Sequence, residues 1–172
     1  QGGISIFDWT DPRSPVEIAF HDRGPSDATR MSLGGSWSIY WYNGVLVSSE
    51  ISRGLDIFEL IPSDVLSQNE IDAAKSIHLD YLNSQGQPKF VWPYTFVLAG
   101  AYVDQLERSR SMGSAWISET REVLATAEGL SGSARSTALT SLATKLEGEA
   151  GRSRDAPKGR VLIEAIRGLA DG

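Results

Sequence analysis

Two adjacent residues, Asn43 and Gly44, constrain this chain more than any others. Both central positions of a type I′ turn need positive φ, and Asn-Gly supplies them. The alternating apolar runs on either side, residues 37–42 and 45–50, must therefore fold back on each other as an antiparallel hairpin. Ser52-Arg53-Gly54 reads as a second tight turn, and residues 55–60 as a third strand. The stretch from Gly35 to Leu60 is thus three consecutive strands joined by two turns.

Two more strand-like runs precede it. Residues 3–9, GISIFDW, are dominated by β-branched and aromatic side chains. Thr10-Asp11-Pro12-Arg13-Ser14-Pro15 is turn chemistry, since two prolines forbid a continuous central strand. In residues 16–20, alternation sets Val16, Ile18 and Phe20 on one face and Glu17 and Ala19 on the other. Residues 21–31 read as a polar loop. Gly3-Ile4-Ser5-Ile6-Phe7-Asp8 matches Gly54-Leu55-Asp56-Ile57-Phe58-Glu59 in kind at every position except the third. This internal repeat has a period of about fifty residues, and short strands at such a period are the signature of propeller blades.

After Leu60 the periodicity changes. Ser67-Gln68-Asn69-Glu70 is a capping box. It predicts a helix to about Asn83, with Ile71, Ala74, Ile77 and Tyr81 inward and His78 at the edge of the apolar face. Pro93 suits the first turn of a second helix, which carries Phe96, Ala99, Tyr102, Val103 and Leu106. Three further helices follow after breaks at Gly113-Ser114, residues 129–133 and residues 148–157. They form a bundle of about 60 residues, a size that is marginal alone, so the helix carrying Phe96 to Leu106 is expected to pack with it. The fold class is segregated α+β: antiparallel propeller-blade strands, incomplete, over residues 1–64, a helical connector over 65–110, and a helical bundle over 111–172.

A net charge of −6 argues against a nucleic-acid partner. The absence of cysteine removes disulfides, thiol nucleophiles and zinc–thiolate sites. No apolar run reaches the roughly 20 residues that span a bilayer. The sequence opens at Gln1 in mid-strand, so the chain is expected to be the C-terminal part of a longer protein.

The β-segment is similar to the closing repeats of LVIVD-repeat β-propeller proteins. The resemblance rests on Gly3-Ile4 to Asp8, Asp11-Pro12, Pro15-Val16-Glu17-Ile18 and the Tyr42-Asn43-Gly44 hairpin. The second unit departs after Glu59, where Ile61-Pro62-Ser63-Asp64 lacks the Pro-Val-Glu-Val strand. The helical tail resembles, more loosely, the FIVAR or FIMAH modules of secreted bacterial proteins. The resemblance implies an extracellular or cell-surface location, further blades upstream of Gln1, and a protein or carbohydrate partner. From the residues themselves, no cofactor and no metal is expected.

Trp37, Tyr40, Tyr42, Glu50 and Arg53 are the candidate binding residues. Alternation puts Trp37 and Trp41 on one face and Tyr40 and Tyr42 on the other, where such aromatics fill inter-blade core or meet a ligand. Glu50 and Arg53 flank a turn, as a binding pair at the mouth of a channel or as a salt bridge pinning that turn. His21 with Asp22 and Asp27 is either a solvated loop or a metal site. Asp8 and Asp11 sit where a turn itself calls for aspartate. No Walker A, dinucleotide, zinc-protease or nucleophile-elbow pattern is present. The leading function is a non-enzymatic exported interaction protein. The alternative is a hydrolase or lyase with its site in the channel of the complete propeller. A third reading makes the tail itself a binding module, through exposed Trp92 and Trp116.

Overall fold

The computed structural model describes residues 2–9 and 12–172. Thr10 and Asp11 of the expected proline turn, and with Asp11 one half of the Asp8 and Asp11 pair, lie outside the described residues. The chain is mixed α/β. Among the described residues it has five strands, β1 (Ile4–Asp8), β2 (Val16–His21), β3 (Ser36–Tyr42), β4 (Val45–Glu50) and β5 (Gly54–Phe58), followed by five α-helices. The strands make two antiparallel sheets, β1-β2 and β3-β4-β5. The chain divides into two compact units. One comprises the chain up to Leu66 with residues 77–90, and the other comprises residues 67–76 and 91–172.

In the strand unit the Asn-Gly turn forms as the sequence requires, with Asn43 at φ 46° and Gly44 at φ 92°. Pairing runs from Tyr42↔Val45 out to Ser36↔Glu50, with Trp37 as an extra residue in a bulge. That bulge reverses the phase of the strand, so simple alternation fails for Trp37. It is 79% exposed, whereas Trp41 is half-buried. A second bulge at Ile18 does the same in β2, where Ile6 pairs with Ala19 but Phe7 pairs with Glu17. Val16, Ile18 and Phe20 therefore do not share a buried face. Val16 and Phe20 are exposed, Phe20 opposite Ser5 and touching only the rim of the space between the sheets, whereas Ile18 is half-buried there. His21 belongs to β2 rather than to the loop, pairs with Ile4, and sets its ring 4.5 Å from that of Phe58. This contact orients the two sheets: Ile4, Ile6 and His21 face Leu46 and Phe58.

The expected first helix is shorter than its pattern. α1 spans Gln68–Lys75, and Ile77, His78 and Tyr81 lie in the segment that follows. The reason is a tertiary competitor for backbone groups. The Asn43 side chain donates from Nδ2 to the Leu79 carbonyl at 3.0 Å and accepts the Leu79 N–H at Oδ1 at 2.7 Å. A continuing helix needs both Leu79 groups for its own ladder.

The helical unit contains α1, α2 (Phe96–Arg108), α3 (Ser114–Glu128), α4 (Gly132–Ala150) and α5 (Ala156–Asp171). α2 starts at an N-cap, Thr95, whose side chain accepts the Leu98 N–H, so Pro93 precedes the helix instead of occupying its first turn. α2 packs on α1, α3 and α5, and α4 packs on α3 and α5. The expectation that α2 joins the bundle is met, and Val103, Leu106, Leu139, Leu142, Leu146, Leu162 and Ile166 are fully buried together. Each large aliphatic side chain so buried contributes about 1.5–3 kcal/mol. Trp92 and Trp116 are half-buried against the apolar clusters of this unit, so neither is a freely displayed aromatic.

Glu70 ties α1 to α2. It completes the capping box by accepting the Ser67 N–H at 2.7 Å, takes both Arg108 guanidinium nitrogens at 2.9 and 2.7 Å, and takes the Gln105 amide at 2.8 Å. Burial pushes its carboxyl up, but Arg108, the Ser67 N–H and Gln105 together hold it below the ordinary glutamate range.

Two outcomes follow. Glu70→Ala is expected to cost about 2–3 kcal/mol in the helical unit, because it removes half of a cap and leaves Arg108 without its carboxylate. Gln68→Ala, which removes only an exposed i,i+4 contact to Asp72, should stay within about 0.5 kcal/mol. Chemical denaturation followed by far-UV circular dichroism checks both. Asn43→Asp keeps the turn but replaces the donor to the Leu79 carbonyl with an acceptor. Residues 77–90 should then be cleaved faster in limited proteolysis while the hairpin persists, and unchanged cleavage would refute the anchoring role.

Candidate functional site

The candidate residues Trp37, Tyr40, Tyr42, Glu50 and Arg53 do not form one site. Glu50 is buried and points inward, as its pairing with Ser36 across the bulge requires. Its carboxylate accepts the Gly35 N–H at 2.6 Å, the Ser52 N–H at 2.8 Å and the Arg53 N–H, and the Ser52 hydroxyl at 3.2 and 3.3 Å. It therefore clamps the start of β3 to the β4–β5 turn. The expected pinning of that turn is real in place but different in kind, because Arg53 contributes its backbone amide to Glu50. Gly35 is part of the same joint. It bridges Gly2, holds φ at 103°, and a Cβ there would lie 2.3 Å from the Gly2 carbonyl. Only glycine fits.

His21, Asp22, Glu50 and Arg53 do converge, around a crevice that also touches Arg23 and Asp56. Its free volume is only about 10 Å³, the scale of a single water. Two of its carboxylates are already committed, Glu50 to backbone amides and Asp56 to Arg23 at 2.7 Å. Asp22 accepts the Gly24 N–H at 2.9 Å. Asp27 accepts the Thr29 N–H and hydroxyl, each at 2.8 Å, and is bonded by Arg30 as well. The Thr29 amide leads in lowering Asp27 to about 2. The loop aspartates thus order the loop, and the metal reading of His21, Asp22 and Asp27 fails because His21 turns away onto Phe58. The pattern Asp27-Ala28-Thr29-Arg30, an Asx turn, was the available signal for that role.

Between the sheets lies a half-open cavity of about 630 Å³, lined mainly by aliphatic side chains, Ile4, Ile6, Ile39 and Leu46 among them, together with the Phe58 ring. The His21 Nε2 is shielded from solvent without a hydrogen-bond partner.

Trp37 stands exposed at the bulge, and Tyr40 and Tyr42 lie on the outer face of β3-β4-β5. Tyr40 and Tyr42 share it, as alternation predicts, with Val45, Val47, Leu55 and Ile57. The Tyr42 hydroxyl reaches the Asp80 carbonyl only at 3.5 Å, beyond a good hydrogen bond. Leu55 and Ile57 are 66% and 63% exposed. The outer side of β1-β2 is similarly open, with Phe7 42% and Phe20 76% exposed. Comparison with known proteins adds no relative: no family model, no curated protein and no solved structure matches the chain. Among the described residues, no helix is long and apolar enough to cross a membrane.

The Gly35 N–H does most to lower the Glu50 carboxyl, against the opposing effect of burial. Its folded value lies below the unfolded one. Its contribution is therefore complete above the ordinary value of 4.5 and is lost as pH falls through the depressed one. Lowering pH from about 6 to about 3 should reduce the melting temperature of the strand unit, and Glu50→Gln should flatten that dependence. Tryptophan fluorescence melts across this range provide the check. An equally steep dependence in the variant would remove Glu50 as its source.

Proposed function

We propose that the strand unit is part of a repeat-built β-propeller of the LVIVD kind, within an exported or cell-surface interaction protein, and that the helical unit caps or tethers it. The observation that carries this reading is the phase of the two repeat-equivalent strands. Ile4 and Ile6 of β1 point toward the neighbouring sheet, and Phe7 points away from it. Their counterparts in β5 keep the same order along the stack. Phe58 points back toward β1-β2, and Leu55 and Ile57 point onward, to solvent. Relative to one core this is an inversion. Relative to a stack of identical units it is translation, since equivalent residues face the same way in every unit.

The strand sets agree with this. Treating β1 as the counterpart of β5 merges the two sheets into one antiparallel order, β3-β4-β5-β2, the four strands of a propeller blade. In the second unit the fourth strand is the missing Pro-Val-Glu-Val segment. The role is interaction rather than catalysis, because the carboxylates that converge are engaged, Glu50 and Asp22 by backbone amides and Asp56 by Arg23. The net charge of −6 favours a protein or carbohydrate partner over a nucleic acid.

A tandem variant tests the repeat. Inserting a second copy of residues 3–53 directly before Gly3 preserves the period and offers an additional unit to the stack. The expected result is a cooperatively folded, monomeric product with a higher melting temperature and less binding of a hydrophobic dye. An inserted segment that stays protease-labile, with an unchanged melt, would sink the repeat reading.

A further inference from the structure

We propose that the outer face of β3-β4-β5 is a docking site for a second copy of this chain, which seats on it through the outer face of its β1-β2 sheet. The inference rests on the repeat reading and adds the occupant and its orientation.

The argument begins with the contact already present inside the chain. There, the Ile4 and Ile6 side of one sheet meets the Phe58 and Leu46 side of the next. The repeat makes Leu55 and Ile57 the counterparts of Ile4 and Ile6, and Phe7 the counterpart of Phe58. Leu55 and Ile57 are open on one end of the unit, and Phe7 with Phe20 is open on the other. One chain thus carries both halves of a contact that it already makes once internally, and two copies placed head to tail make it again.

Composition favours burial of this face. The side chains that β3, β4 and β5 turn outward are Ser38, Tyr40, Tyr42, Val45, Val47, Ser49, Leu55 and Ile57, with no charge among them. Covering them buries no charge of this sheet, while Glu17, which stands opposite Phe7 in the ladder, brings a carboxylate to the covering face and is exposed. Leaving them open retains an apolar patch of the sort that marks an interaction site. The contact joins two different patches, so it is heterologous and does not end at a dimer unless the rotation closes a ring.

Sedimentation velocity on the 172-residue chain over rising concentration tests this, with two single-face variants. Ile57→Lys disables one face and Phe7→Lys the other, with Leu55→Lys and Phe20→Lys as substitutes should either fail to give a native circular dichroism spectrum. The parent chain is expected to form dimers and larger species. Each variant alone is expected to be monomeric, and the two mixed should give a 1:1 heterodimer that grows no further. A parent chain that stays monomeric overturns the proposal, as does one variant that still dimerises with itself, which would mean a symmetric contact. A monomeric parent alongside a stabilised tandem variant would reject self-association and leave the repeat reading intact.

Discussion

A sheet with apolar side chains on both faces has to be covered twice, and this constraint governs the strand unit. β3-β4-β5 presents Ile39, Trp41, Leu46 and Phe58 to one side and Tyr40, Val47, Leu55 and Ile57 to the other. One side meets β1-β2. The other is open, at a forfeit of about 1.5–3 kcal/mol for each large aliphatic left in water. A sheet apolar on both faces needs a cover on each, whether a helix, a loop or another sheet.

The helical unit solves its burial problem internally. α2 to α5 share one apolar core, a smaller cluster seats Ala73 of α1 against α2 and α5, the first helix begins in a complete capping box, and Glu70 collects the donors that join α1 to α2. The contrast between the units is one of closure. The helices are satisfied by each other, whereas the strands are satisfied along their hydrogen-bond ladders but not across their faces.

Much of this was legible in the residues. Asn43-Gly44 named its turn because few dipeptides reach positive φ at both positions. Ser67 and Glu70 named their cap because the chemistry is local. The errors arose where local pattern met a distant competitor. The run from Ile71 to Tyr81 is helical in period, yet the helix stops at Lys75, since Asn43 takes the backbone groups of Leu79. Bulges at Trp37 and Ile18 cannot be read from alternation, because one extra residue reverses every later assignment. Among the candidate residues, Glu50 and Arg53 were rightly placed at one turn, but nothing in their spacing says that backbone amides fill the carboxylate.

The sequence by itself determined the local geometry: where the chain turns, where helices begin, and which short strand recurs. These depend on φ preferences, caps and side-chain pattern within a few residues. Only the tertiary structure decided which way the recurring strand faces. Ile4 and Leu55 are equivalent in sequence, yet one is buried and the other exposed. A side chain's burial is fixed by what lies across from it, and that neighbour comes from elsewhere in the chain or from another copy.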